Sequence, residues 1–519
     1  MTDERNAGAS WLEPLPPRPS LEMQQKRAKE LLRAVWSGDA AALERVRALH
    51  PRPPEPDRLK LSDAQLVVAR GYGFPEWASL KRKIQSLVSS PVAQFVNAVR
   101  AADVTETRRL LESHPELRAA VNEPLFDFGA PAVHQAKKSL PLVDLLLEFG
   151  ADLNLRTSWA PGGYGILEWD LSPEQAKPLI ERGAQVDVFA ATRLGFRDVL
   201  EHWLDRQPEL VHARGGDGAT PLHLATTAEI AELLIERGAE LEARDVDHTS
   251  TPLQHRIGDV AVARSLIAKG ARVDLFAAIA LGETELVRRV LESEPGAIEH
   301  RVGAPPYANS AGGHVYQWTL GFDITPIELA RRRDRPDLVD LLLERASARA
   351  RFLDAAWNAD EAEARALLRQ RPRLIAELAE DDRQLLARAA WWYRPTAVAL
   401  MLELGFDPHV RGVHASTPLD RASFHGYADI VELLLAHDPD PPLTALNDFG
   451  GTPLGACIYG SQHGWDTGHP RDHVRTVEFL LGAGAELDLT SIPTGDDALD
   501  AFFRTWWSNG ARRTNAPPR

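Results

Sequence analysis

His463, His469 and His473 lie in one short segment with Asp466 and Asp472. Imidazoles among carboxylates are the ligand types a catalytic zinc takes, with a further position left for the water that attacks substrate. A metal-dependent hydrolase using His463 to His473 is therefore one reading of the chain. Against it, the spacing matches no established metal motif such as HExxH. An inter-helix loop whose His and Trp rings pack on the next unit accounts for the same residues. Other reactive frames are missing: there is no GxxxxGK[ST], no strand-led GxGxxG, no GxSxG and no CxxC. The single cysteine, Cys457, excludes an intrachain disulfide and sits in an apolar helical pattern, where a small core residue is the simpler role than a nucleophile. The sequence thus calls for no catalytic residue, no metal ligand and no cofactor, and the chain is expected not to be an enzyme.

What remains is the chemistry of recognition. A long segment from Val302 to Asp323 carries Tyr307, His314, Tyr316 and Trp318, and a second excursion, Ser461 to Arg471, carries His463 and Trp465. Trp392 falls in the Trp391-Trp392-Tyr393 run expected at an inter-helix turn, and Phe449 precedes a Gly-Gly turn. Aromatic rings on loops bury much area at small entropic cost, which suits them to partner contacts. The polar turn residues Asp217, Gly218, Asp247 and His248 join them as expected contact positions. The alternative for Tyr316 and Trp318 is that they close their own loop onto adjacent helices.

These residues hang on a repeated frame, clearest from Asp217 to Arg244 in DGATPLHLATTAEIAELLIERGAELEAR. Asp217-Gly218 is turn chemistry, Thr220 is a cap, and Pro221 suits the first helical position because its missing N–H is not needed there. After Thr226-Thr227 a second apolar stripe at helical spacing runs to Gly238, where a left-handed cap belongs. Neither helix could bury its stripe alone, so such a unit needs neighbours of the same kind. The neighbours are there. Thr251-Pro252-Leu253, Thr325-Pro326-Ile327, Thr417-Pro418-Leu419 and Thr452-Pro453-Leu454 repeat the turn, while Phe95 to Pro115, Phe189 to Pro208, Phe276 to Pro295 and Phe352 to Pro372 repeat a Phe-led helix pair.

The TPLH turn, paired helices and a recurring step of 33, as from Gly150 to Gly183, are the ankyrin signature, and residues 91 to about 512 resemble an ankyrin repeat array. The resemblance implies an all-α solenoid of helix-turn-helix units with β-turn or hairpin tips, preceded here by a small helical domain. It also implies that His223 is structural, bonding backbone around its turn. DAQLVVARGYGFPEWASLK and GGTPLGACIYGSQHGWDTGHPRDHVRTVEFLLGAGAE are similar to segments of a group of bacterial ankyrin proteins described by fold and not by activity.

The expected organisation is a disordered tail at 1–20, a helical domain at 21–90, about twelve ankyrin-like units at 91–489 and a capping helix and tail at 490–519. Unit lengths vary. From the turn Thr to the end of the second helix the step is 21 from Thr325 to Ala346, but 18 from Thr220 to Gly238 and 32 from Thr452 to Gly484. The first helix after Thr220 should therefore be clipped.

Charge narrows the partner. Of the net −15, residues 1–20 hold −1 and residues 21–88 hold 13 Lys+Arg less 8 Asp+Glu, or +5, which leaves −15 + 1 − 5 = −19 on residues 89–519. An acidic body disfavours nucleic acid and favours solubility or a basic partner, although Lys26, Arg27 and Lys29 and Lys81-Arg82-Lys83 in the head are candidate phosphate contacts. No apolar run is long enough to span a membrane, so a cytoplasmic monomer is expected, binding a protein partner on the concave face made of turn tips and first helices.

Overall fold

The computed structural model describes residues 11–510 except 14, 17–18, 37, 57–58, 89, 309–311, 488–493 and 495; the first half of the expected N-terminal tail and the last residues of the expected C-terminal tail lie outside them. Among the described residues the regular structure is helical and contains no strand. The chain sorts into two compact units, one formed by residues 74–345 with 14–21, the other by residues 346–519 with 1–13 and 22–73.

In the first unit, helices alternate between two layers. Val188–Leu194, Pro221–Leu224 and Pro252–Arg256 pack side by side as first helices, and Arg197–Arg206, Ala228–Glu236 and Val260–Ala268 stack behind them as second helices. Each start is fixed locally. The Thr227 side chain accepts a hydrogen bond from the Ile230 N–H, and Asp259 does the same for Val262. Each second helix buries one stripe, such as Ile230, Ala231, Leu233 and Leu234, against its neighbours. The Pro221–Leu224 helix has four residues against seven in Pro326–Arg332, so the clip expected from the short step is present. Thr226 Oγ1 compensates by donating across to the Arg193 carbonyl at 3.1 Å.

Backbone clips tie one turn to the next. Asn122 donates to the Gly150 carbonyl at 2.8 Å and accepts from the Asp152 N–H at 2.9 Å; Asn154 repeats this with Gly183 and Gln185. At the tips, the Asp217 carbonyl accepts from the N–H groups of both Val246 and Asp247, at 2.9 and 3.0 Å.

In the second unit, Leu385–Trp391, Pro418–His425 and Pro453–His463 form the front layer, with Pro395–Leu404, Ala428–His437 and His473–Gly482 behind, and Asp497–Gly510 packs on the last of these. Cys457 is fully buried in the core of this unit, where burial pushes its thiol up, as its core role requires. At the unit's other end Glu13 accepts from Arg27 at 2.8 Å, so one of the head's cations is committed within the molecule.

Candidate functional site

Asp217 stands at a turn tip with φ of 57°, a left-handed conformation that Asp tolerates because its short side chain bonds locally. The strained tip is held by its surroundings. Arg214 donates from one guanidinium nitrogen to the carbonyls of Gly218 at 2.7 Å and Arg244 at 2.6 Å, joining two successive tips. The carboxylate of Asp217 accepts from the Trp159 indole N–H at 2.9 Å, and the Tyr164 hydroxyl bonds it as well. Next to it lie Asp247 and His248, and His248 Nε2 stands 3.6 Å from an oxygen of Asp217 and 3.6 Å from an oxygen of Asp247. The other His248 nitrogen, Nδ1, donates to the Gly313 carbonyl at 2.7 Å, which docks the Val302 to Asp323 segment onto the tips.

Electrostatics follow from these contacts. Burial works to raise the Asp217 carboxyl, but the donors from His248, Tyr164 and Trp159 outweigh it and hold the group below its ordinary range. The contact with Asp217 pushes His248 up to about 9 against the opposing effect of burial. Burial raises Asp247.

Beneath the tips is a second, structural set. The His223 ring accepts at Nδ1 from the Thr220 N–H at 3.1 Å, and its Nε2 donates to the Ser250 carbonyl at 3.1 Å, so this histidine braces its own turn and the next. The role implied by the TPLH resemblance is the one observed. Tyr316 is fully buried and shares its hydroxyl proton between the two oxygens of Asp274, at 2.9 and 3.1 Å. Tyr307 is buried as well, edge-on to Phe276 with centroids 5.0 Å apart. Neither tyrosine presents its ring to solvent, contrary to expectation, because the segment folds back over the first helices and uses these rings as its own anchor. Gly218 is likewise buried, against Val246.

The structure gathers Asp217, Asp247 and His248 and brings Trp318 to them, since the Trp318 indole donates to the Gly312 carbonyl at 3.2 Å. It does not gather the rest, for Trp392, Phe449, His463 and Trp465 belong to the other unit, where all four are exposed. Lys26 stands 4.7 Å over the Phe449 ring there. The histidines of the alternative, metal-dependent reading go to separate partners. His463 stacks on Tyr459 at 4.2 Å, His469 stacks on Tyr393 at 4.7 Å, and His473 Nε2 donates to the Phe424 carbonyl at 3.2 Å. Among the described residues, the groups whose ligand atoms fall within 4.8 Å of one another are His223 with Asp245 and His255, and Asp217 with Asp247 and His248.

Sequence reasoning missed Phe128, Trp159, Tyr164 and Phe322. Phe128 and Trp159 meet edge to face at 5.2 Å, and Trp318 meets Phe322 in the same manner at 5.4 Å. A signal for Phe128 existed. Asp127-Phe128-Gly129 repeats the Asp448-Phe449-Gly450 tip, from which Phe449 was picked.

Several buried histidines predict an acid sensitivity. His134 and His223 in the first unit and His425 in the second are fully buried, and burial lowers them to about 4, about 3 and about 4. Each stays neutral when folded but takes a proton when unfolded, so the unfolded chain binds more protons between those values and about 6.5. Stability from this source is complete above about pH 6.5 and falls as the pH drops. At about pH 5.5 each histidine should cost about 1.4 kcal/mol. Urea midpoints for wild type and His223→Gln should converge as the pH falls; a gap that does not change with pH contradicts the assignment.

Residues 217–246 match the family model described as "Ankyrin repeat". Two curated proteins, both named "Ankyrin repeat and SAM domain-containing protein 6" and from Mus musculus and Rattus norvegicus, are each 31% identical over 102 residues. That stretch is 19% of this chain and 12% of each relative, so the likeness covers repeats and not whole proteins. With the helix pairs described above, the chain is an all-α protein of stacked helix pairs with an ankyrin repeat at residues 217–246, a kind of repeat that generally mediates protein–protein contact.

Proposed function

We propose that this chain is a non-enzymatic protein-binding module that captures an extended, basic and apolar polypeptide segment across the turn tips of its first unit. One observation carries the reading: the exposed side chains there form a continuous run. Phe128 touches Trp159, Trp159 bonds Asp217, Asp217 bonds the Val246 backbone, and Asp247 borders Gly312, to which Trp318 is tied beside Phe322. Phe128, Trp159, Val246, Trp318 and Phe322 are 46%, 37%, 55%, 64% and 42% exposed. Single exposed apolar residues are ordinary, but a connected row of rings at the tips of a solenoid is the makeup of a contact surface.

Charge complementarity argues for a basic occupant, since residues 89–519 carry the −19 derived above. Lys and Arg stems suit the ring pairs, where an aromatic face attracts a cation. The helical head, similar to that of bacterial ankyrin proteins, and a cytoplasmic setting belong to the same reading. Nothing on the run favours a reaction.

A displayed peptide library selected on the full chain tests this. Enriched peptides should combine Lys or Arg with large apolar residues, weaken with salt, and lose about 30-fold in affinity for each of Phe128→Ser and Trp318→Ser, the value of a ring worth about 2 kcal/mol. Acidic peptides, or peptides indifferent to both substitutions, overturn the proposal.

A further inference from the structure

We propose that Asp217, Asp247 and His248 form a binding site for one divalent first-row transition-metal ion of the zinc type, which pins the inserted segment to two successive turn tips. The argument starts from the imidazole. With Nδ1–H given to the Gly313 carbonyl at 2.7 Å, Nε2 is the nitrogen that faces the carboxylates, and an ion bound there takes the place of its proton. This backbone anchor on the far nitrogen is the arrangement that orients metal-bound histidines in general.

Distances then decide between a direct contact and a bridged one. Nε2 lies 3.6 Å from an oxygen of Asp217 and 3.6 Å from an oxygen of Asp247, and the three ligand atoms are all within 4.8 Å of one another. A well-formed hydrogen bond between nitrogen and oxygen spans about 2.7–3.2 Å, so both contacts are longer than the optimum and leave room for an ion between the groups. Ligands about 2.0–2.2 Å from a tetrahedral zinc stand about 3.3–3.6 Å apart, which is the separation observed along both edges to His248. The two carboxylates need only a small closure on the third edge.

The surroundings are built to match. The three side chains are 20%, 20% and 16% exposed, so the cluster is largely but not wholly shielded from water. Trp159 and Tyr164 fix the Asp217 carboxylate from behind. Gly312 lets the inserted segment approach: a Cβ there would sit 2.1 Å from an Asp247 carboxylate oxygen. One nitrogen and two oxygens suit a borderline ion, whereas calcium and magnesium favour oxygen sets of six or more including waters. The neighbouring His223, Asp245 and His255 make a poorer site, because His223 Nε2 is committed to Ser250 and both Asp245 oxygens accept from backbone N–H groups. This inference does not depend on what the aromatic run binds.

Calorimetric titration of zinc into the chelator-treated full chain, with cobalt absorption as a second probe, should show about one ion per chain. Asp217→Asn, Asp247→Asn and His248→Gln should each weaken binding by about 100-fold or more. Tyr164→Phe, which removes only a hydroxyl behind Asp217, should weaken it about 10-fold. A triple variant carrying His463→Gln, His469→Gln and His473→Gln should bind as wild type does. Wild-type chain that takes up no stoichiometric zinc or cobalt overturns the proposal regardless of how any variant folds. So does binding that survives His248→Gln or is lost in the triple variant.

Discussion

Asp274→Ala is expected to destabilise the first unit by about 3–5 kcal/mol, because this carboxylate satisfies several buried donors at once. Its Oδ1 caps the Leu275–Ala280 helix by accepting from the Ala277 N–H at 2.8 Å. Its Oδ2 accepts from Gln254 Nε2 at 2.8 Å, and the fully buried Tyr316 hydroxyl bonds both oxygens. Removing the acid leaves buried donors on three segments, the first helix of one unit, the next first helix and the insertion, and each orphan costs about 1–3 kcal/mol. Tyr316→Phe, which removes one donor and leaves the acid its others, should cost about 1 kcal/mol, and the two changes together should cost less than their sum because they share a bond. In a solenoid the loss stays near its origin, so hydrogen exchange along Leu275–Ala280 and Val315–Thr319 should speed up before residues 91–148 are affected. A variant whose urea midpoint matches wild type would show that the insertion is not anchored through Asp274.

The same contact shows what the sequence could and could not reveal. The repeat frame was legible because it is written locally: Thr-Pro-Leu turns, capping residues and apolar spacing all act within a few residues of themselves. Even the four-residue helix at Pro221–Leu224 could be anticipated from the short step that follows Thr220. Tyr316 could not be placed, because its partner lies 42 residues upstream and reaches it only when an irregular segment folds back. Trp159 is the same case, with its indole bonded to a residue 58 positions later. Asp217, Asp247 and His248 were visible individually as polar tip residues. Their convergence was not, since successive tips come together only through the stacking of the units that carry them.

Close stacking in the second unit leads to the other large expected effect. Gly460→Val should destabilise this unit by about 3 kcal/mol or more. Gly460 lies within the Pro453–His463 helix where it crosses Pro418–His425, and a Cβ at 460 would stand 1.8 Å from the Phe424 carbonyl oxygen and 2.7 Å from its carbon. The obstacle is backbone, which no rotamer change can relieve. Moving the helices apart would also strain contacts that depend on their approach: Arg471 donates to the carbonyls of His425 at 3.1 Å and Gly460 at 3.0 Å, and His473 donates to that of Phe424 at 3.2 Å. Gly460→Ala makes the decisive comparison. Alanine gains about 1 kcal/mol of helix propensity over glycine, so at an open helical position it would stabilise. Here the clash should exceed that gain and leave a net loss of about 2 kcal/mol, with valine worse than alanine. Cys457, one turn earlier and fully buried, supplies a second readout, since parted helices should let a thiol reagent label it faster in the variants than in wild type. Stabilisation by alanine would mean that the two helices have room to spare, and the close crossing would then not be what holds this unit together.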